Sequence, residues 1–177
     1  MDHKTNIAFQ SAAEIKEYQQ TKLKELLVYL QTNSPYYKQL FAENNIDISA
    51  IHTLEDISSL PTTGKDELQT RNEDFLCVPK NKIIEYTSTS GTIGKPVTIA
   101  LSDNDLNRLA YNEYSSFLCA DGSASDIYQL MLTLDRQFMA GMAYYTGIRK
   151  IGAGIIRVGP GVPSLQWETI ACDFEGY

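Results

Sequence analysis

The 177-residue chain is 43% hydrophobic, with a net charge of −7 and a pI near 4.8, which suits a globular core and argues against non-specific binding to nucleic acid or anionic membrane. No apolar run approaches the length of a membrane span, and the N-terminus from Met1 to Thr5 lacks a signal-peptide core. Cys77, Cys119 and Cys172 are odd in number and widely spaced, so they read as reduced thiols of a cytoplasmic protein, not as a disulfide frame or zinc site.

Ser11-Ala-Ala-Glu14 forms a capping box. Ile15, Tyr18, Leu23, Leu26, Leu27 and Leu30 follow at helical spacing, which predicts a long helix ending near Asn33. Ser34-Pro35 starts a short second helix, with Pro at its first position, that should bury Tyr37, Leu40 and Phe41 before Asn44-Asn45 stops it. Thr53 to Leu60 offers a short helical stretch, and another helix begins within Pro61 to Leu68, with Thr63 as its cap and Asp66 three residues on. His3 and His52 sit far apart in polar surroundings and read as surface residues.

The pattern then changes. Lys82 to Tyr86 and Pro96 to Leu101 are strand-like, and Thr87, Ser88, Thr89, Ser90, Gly91, Thr92, Ile93, Gly94 and Lys95 lie between them. Glycines allow positive φ and close approach of backbone amides to an anion, hydroxyls add rotatable donors, and Lys95 adds a mobile point charge. This is the chemistry of a phosphate cradle, with a solvated hairpin loop as the plain alternative. A P-loop NTPase is a third, weaker reading, because that motif opens a helix, its glycine spacing is longer, and Pro96 stands where it needs Ser or Thr.

Beyond the loop, Ser102 to Asp105 caps a helix with Leu106, Leu109, Ala110, Tyr114, Phe117 and Leu118 on one face, ended by Asp121-Gly122. Ile127 to Leu134 is an apolar run with few polar interruptions, as expected of a strand covered on both faces. A small-residue helix from about Phe138 to Lys150 and a strand from Ala153 to Val158 follow, then a turn over Gly159 to Pro163 and a helix from Ser164 carrying Trp167 and Ile170 inward. This alternation predicts parallel strands joined by right-handed crossovers. The chain therefore reads as α/β, with a helical N-terminal region over 1–80 and an α/β region over 81–177. The last helix has no strand to pack beside, so a portion of a larger architecture is expected, against a complete small domain with a frayed tail. An unfinished sheet also favours self-association, a homodimer included.

The segment from Tyr86 to Pro96 resembles the phosphate-binding loop of adenylate-forming enzymes, and its Gly94-Lys95-Pro96 ending is most similar to the phenylacetate–CoA ligase family. That family usually shows Ser-Ser-Gly-Thr-Thr-Gly-Lys-Pro, where this chain has Ile93 for the second Thr. Asn33-Ser34-Pro35-Tyr36-Tyr37, Leu54 to Ile57 and Pro61 to Thr63 resemble segments that precede the loop in the family, so the likeness runs from about Ile15 to Trp167. It implies the N-terminal domain of an adenylate-forming enzyme, with ATP, Mg²⁺ and coenzyme A as cofactors. A small carboxylic acid would be the substrate, and coenzyme A or a carrier protein the acceptor. It also implies that Thr87, Ser88, Thr89, Ser90, Gly91, Thr92, Gly94 and Lys95 bind the phosphates, with Lys95 as the catalytic charge.

The acid would lie against Thr133 to Gly141, of which Phe138 and Gly141 match the family and Asp135 and Arg136 depart from it. That departure argues against phenylacetate itself. Arg136 reads either as half of a surface ion pair with Asp135 or as a group near the ligand carboxylate. The family's aromatic-Gly-x-Thr/Ser-Glu segment, its ribose-binding Asp and its C-terminal lobe with the catalytic Lys are not found in the 177 residues. Two functions follow: the N-terminal part of an AMP-forming acyl- or aryl-acid–CoA ligase, inactive by itself, or a truncated fragment that at most binds nucleotide or a partner chain.

Overall fold

The computed structural model describes residues 7, 10–89, 96–135 and 137–161. The chain divides into two compact units, Met1–Pro79 and Lys80–Tyr177.

In the first unit, helix α1 (Ala12–Asn33) begins at the capping box: the Ser11 hydroxyl accepts from the Glu14 amide at 3.3 Å, and the Glu14 carboxylate accepts from the Ser11 amide at 3.0 Å. Ser34 serves two helices. Its amide donates to the Leu30 carbonyl to close α1, and its hydroxyl accepts from the Tyr37 amide to open α2 (Pro35–Glu43). The same buried hydroxyl donates to the Asp74 carbonyl at 3.0 Å. Leu27, Phe41 and Ile51 form the centre of the core, with Leu23, Leu30, Tyr37, Ile46, Ile48 and Leu60 packed around them. Of the three residues expected to be buried by α2, only Phe41 is fully so. Tyr36 takes the second place because its ring stacks on Phe75 at 4.0 Å, with the Arg71 guanidinium 5.0 Å from its centre.

The helical stretch expected over 53–60 is a 3₁₀ turn, Glu55–Ser59. Helix α3 (Lys65–Thr70) starts later than Thr63 would place it. Gly64 is its N-cap, with the Glu67 carboxylate accepting from the Gly64 amide at 2.9 Å, while the Thr63 hydroxyl turns to the Tyr37 hydroxyl. The box closes from Glu67 onto Gly64, one residue later than Asp66 would close it onto Thr63, and that sets the start.

In the second unit, β1 (Ile83–Ser88) and β2 (Thr98–Ser102) are an antiparallel pair, registered Tyr86 opposite Ala100, Thr87 opposite Ile99 and Ser88 opposite Thr98. Ser102 then caps α4 (Asp103–Cys119), its amide and hydroxyl both donating to the Asp105 carboxylate. Strands β3 (Ile127–Leu130) and β4 (Gly154–Arg157) pair in parallel across helix α5 (Met139–Ile151), which ends on Gly152 at φ 89°. Ala110 on α4 and Ala143 and Ile148 on α5 are buried, and Phe117 packs on Tyr128 and Tyr144. The α/β class is present, and so are the two strands expected on either side of the hydroxyl run and the parallel pair.

Two expectations change. The run 127–134 gives only a four-residue strand, with Ile127 52% and Met131 49% exposed. Its ladder ends where the Leu130 carbonyl accepts both the Val158 and Gly159 amides, so the chain beyond Leu130 leaves the strand pair. Leu118 is exposed because the seam of α4 runs through Ala110, Tyr114 and Phe117, at i, i+4 and i+7. The helix expected from Ser164, with Trp167 and Ile170, lies outside the described residues.

Candidate functional site

The last residues of β1 carry the hydroxyl run, and strand alternation gives each a different environment. Thr87 is buried, with its hydroxyl 4.0 Å from the Met139 sulfur. Ser88 is half-buried; its amide donates to the Gln137 carbonyl at 3.0 Å, and its hydroxyl makes only a long contact, 3.4 Å, to the Thr89 carbonyl. Thr89 closes the neck of the hairpin loop. Its amide donates to the Val97 carbonyl at 3.0 Å, and its hydroxyl accepts from the Val97 amide at 3.0 Å. A side-chain oxygen thus stands in for a backbone carbonyl as the ladder closes. The Thr89 proton remains available to a ligand, since an accepting hydroxyl still has its donor.

The opposite wall is the segment between β3 and α5. Thr133 donates from its hydroxyl to the Asp135 carboxylate, and the Asp135 amide donates back to that hydroxyl at 3.2 Å. The Phe138 amide donates to the Asp135 carbonyl at 3.1 Å, and Gln137 between them sits at φ 59°, in the left-handed region. Phe138 is the N-cap of α5 but offers no side-chain acceptor. The first turn of α5 holds no acidic residue, while Arg149 and Lys150 lie in the last. The amides of that turn lack intrahelical partners, and the helix dipole makes the end favourable to an anion.

Between the two walls lies a cleft of about 570 Å³, lined by Thr87, Ser88, Thr89, Pro96, Ile99, Thr133, Phe138, Met139 and Ala140. No charged side chain is among these lining residues. Of the residues expected at the site from sequence, Thr87, Ser88, Thr89 and Phe138 come together here. Gly141 is buried behind the wall: a Cβ built on it would lie 1.9 Å from the Thr133 carbonyl oxygen, so its bare backbone is what lets α5 approach that segment. Ser90, Gly91, Thr92, Gly94, Lys95 and Arg136 lie outside the described residues.

Thr133 and Met139 lie within the segment expected to face the acid without being singled out in it, and Ile99 was not singled out at all. A signal existed for Thr133, a hydroxyl just past the carboxyl end of a strand in a parallel pair, where α/β folds place their ligands. Among the described residues no cluster of His, Cys, Asp and Glu suits a metal ion, and no helix is long and apolar enough to cross a membrane.

No protein-family model matches the chain. It is 27% identical over 162 residues to the phenylacetate-coenzyme A ligase of Pseudomonas putida, covering 91% of this chain and 36% of that protein. To the enzyme of the same name from Escherichia coli it is 26% identical over 166 residues, covering 93% and 38%. Among solved structures, 2-hydroxyisobutyryl-CoA ligase in complex with 2-HIB-AMP and CoA superposes with a TM-score of 0.79 at 20% identity, over 87% of this chain and 36% of that one. The chain thus spans about a third of the length of the relatives it matches. It is similar to the N-terminal portion of adenylate-forming CoA ligases and shares the fold of that portion.

Proposed function

We propose that these residues form the phosphate-binding and acid-facing part of an ATP-dependent, AMP-forming acid–CoA ligase. The observation that carries this reading is one cleft shared by a hydroxyl-bearing strand end and an uncapped helix N-terminus. In the reaction, a carboxylate oxygen bonds to the α-phosphorus of ATP and the bond to the bridging oxygen breaks, giving an acyl-adenylate and pyrophosphate. The thiol of coenzyme A then displaces AMP and loses its proton; a carrier-protein thiol is the other candidate acceptor. A carboxylate is already nucleophilic at neutral pH, so the first step requires no general base. The barrier is the approach of two anions and the departure of a third, which donors aimed at developing charge lower.

Ser88 and Thr89 supply hydroxyl donors on one wall, and the adjoining Ser90, Gly91, Thr92, Gly94 and Lys95 continue the run along the chain. The first turn of α5 lines the same cleft, and the free amides of a helix N-terminus suit the carboxylate of the acid. Ile99, Phe138, Met139 and Ala140 in the lining favour an acid with an apolar body. Arg136 adjoins this wall in sequence and is a further candidate for the carboxylate. Magnesium is expected with the nucleotide phosphates, and no residue described here is assigned to it.

Binding of ATP and of pyrophosphate to the purified chain, measured by calorimetry, tests the reading. A charge-assisted contact is worth about 1.5–3 kcal/mol, so Lys95→Ala is expected to weaken pyrophosphate binding roughly 10- to 100-fold. Equal binding by the two forms would refute the assignment of Lys95. The chain itself is expected to release no acid-dependent AMP above the Lys95→Ala control, because it has no recognisable adenine clamp or ribose anchor.

A further inference from the structure

Among the described residues, two independent contacts join the strand end to the β3–α5 segment. One is the bond from the Ser88 amide to the Gln137 carbonyl; the other is the buried Thr87 hydroxyl against Met139. The first is unusual in its acceptor. Gln137 occupies φ 59°, a region that residues other than glycine enter uncommonly and at an energetic cost. At that φ the Gln137 carbonyl meets the outer edge of β1, while the Phe138 amide donates to the Asp135 carbonyl. An ordinary φ would turn that carbonyl away. Ser88 would then lose its partner, and the two walls of the cleft would be joined by side-chain packing alone.

We propose that Gln137 is a positioning residue. Its left-handed backbone holds the Ser88 amide and thereby fixes the hydroxyl-bearing strand at a set distance from the carboxylate-facing wall of Thr133, Phe138 and Met139. Resting on the ligase reading above, this assigns the residue a task in coupling rather than in contact: ATP on one wall and acid on the other are registered through one backbone hydrogen bond. The chemical demand is plain, since a carboxylate oxygen and the α-phosphorus react only when held in line at short distance. A strap made of main chain meets that demand better than long side chains, because it has few torsions to freeze.

The test measures coupling, which a merely structural role would leave alone. Calorimetry on the purified chain gives the affinity for a non-hydrolysable ATP analogue, for 2-methylpropanoate and phenylacetate as acids, and for each acid with the analogue saturating. The wild-type chain is expected to bind acid about fivefold or more tightly when the analogue is present, the lower end of usual coupling between sites. Gln137→Gly, which adopts positive φ readily, should keep that ratio. Gln137→Val, whose β-branched side chain resists it, should bring the ratio to about one.

Retention of the ratio in Gln137→Val overturns the proposal, and so does a wild-type chain that binds both ligands without coupling; neither touches the ligase reading. A wild-type chain that binds neither ligand overturns both. Should Gln137→Val fail to fold, exchange of the Ser88 amide in the wild-type chain decides by NMR. Protection that rises when either ligand binds supports the strap, and an amide unprotected or unchanged by ligand overturns it.

Discussion

Replacing Gly141 with alanine sets two effects of opposite sign against each other. The residue is in the first turn of α5, and alanine is favoured over glycine within a helix by about 0.8–1 kcal/mol. The new methyl, however, would lie 1.9 Å from the Thr133 carbonyl oxygen, 3.0 Å from its carbon and 3.3 Å from the Leu134 Cδ2. Ordinary contact begins near 3.4 Å, so the helix and the segment must part by about 1.5 Å, the difference between 3.4 and 1.9. The obstacle is main chain, and no rotamer change removes it.

Overpacking of this kind costs about 1–3 kcal/mol, and a fixed carbonyl places Gly141→Ala toward the upper end. Subtracting the helix gain leaves a net loss of about 1–2 kcal/mol. For a urea slope of about 2 kcal/mol per molar, the midpoint should fall by roughly 0.5–1 M. Hydrogen exchange on peptides from α5, followed through a urea titration, reports the second unit without averaging over both. A midpoint raised by the amount that helix propensity alone predicts would refute the close approach, and with it the placement of the wall. Thr133 and Phe138 line the cleft on that wall, so ligand affinity should fall with the midpoint.

Thr87→Val tests whether the buried hydroxyl is structural or a ligand donor. Among the described residues it meets only a thioether at 4.0 Å, so stability should change by less than about 0.5 kcal/mol, with ATP affinity unchanged; a fall in affinity at constant stability would return Thr87 to the phosphate contacts. Acid should loosen the first unit. The Ser11 hydroxyl and amide hold the Glu14 carboxyl below its usual range, and the His52 and Thr53 amides do the same for Asp56. These groups bind protons less readily folded than unfolded, so their contribution is complete at neutral pH. It begins to fall as unfolded carboxylates protonate near pH 4–5 and vanishes as pH drops through the folded values. Circular dichroism between pH 7 and 2 should show α1 fraying in that order, and Ser11→Ala should flatten the Glu14 part of the profile. Cys77 should alkylate more slowly than the exposed Cys119, because burial pushes its thiol up; equal rates would contradict its surroundings.

How much was legible follows the range of the interaction involved. Ser11 with Glu14, Ser34 with Pro35, and Ser102 with Asp105 are local devices, and each starts its helix where the sequence predicts. The strand–loop–strand was readable because alternation and a glycine-rich hydroxyl run are also local. What failed depended on partners far along the chain. Tyr36 is buried by Phe75, thirty-nine positions away, and the length of β3 is set by where β4 turns at Val158. Gly141 was expected in the acid-facing segment, and its surroundings make it also the place where a helix meets a carbonyl. Nothing in the residue type separates those roles. The left-handed Gln137 was invisible for the same reason, since glycine or asparagine is the usual marker of such a turn.

The described part of the hydroxyl run shows how a strand gives equivalent residues unequal surroundings. Thr87, Ser88 and Thr89 are equivalent as sequence, each with one O–H to donate. On the strand, Thr87 lines the cleft but is buried, with its hydroxyl 4.0 Å from the Met139 sulfur. Thr89 accepts from the Val97 amide, which anchors its oxygen and leaves its proton directed by that bond. Ser88 has a fixed amide and a loosely held hydroxyl, so it alone combines a rigid Cα with a donor free to rotate. A phosphate oxygen arriving at this strand end therefore finds two donors, one aimed and one adaptable. Ser88→Ala should remove the adaptable donor while sparing the strap, because the strap uses the backbone. Its effect on ATP affinity is then about 0.5–1.5 kcal/mol, the usual worth of one hydrogen bond, or roughly two- to tenfold in Kd. A loss well beyond tenfold would mean that the serine side chain also holds the loop, and the separation drawn here between hydroxyl and amide would fail.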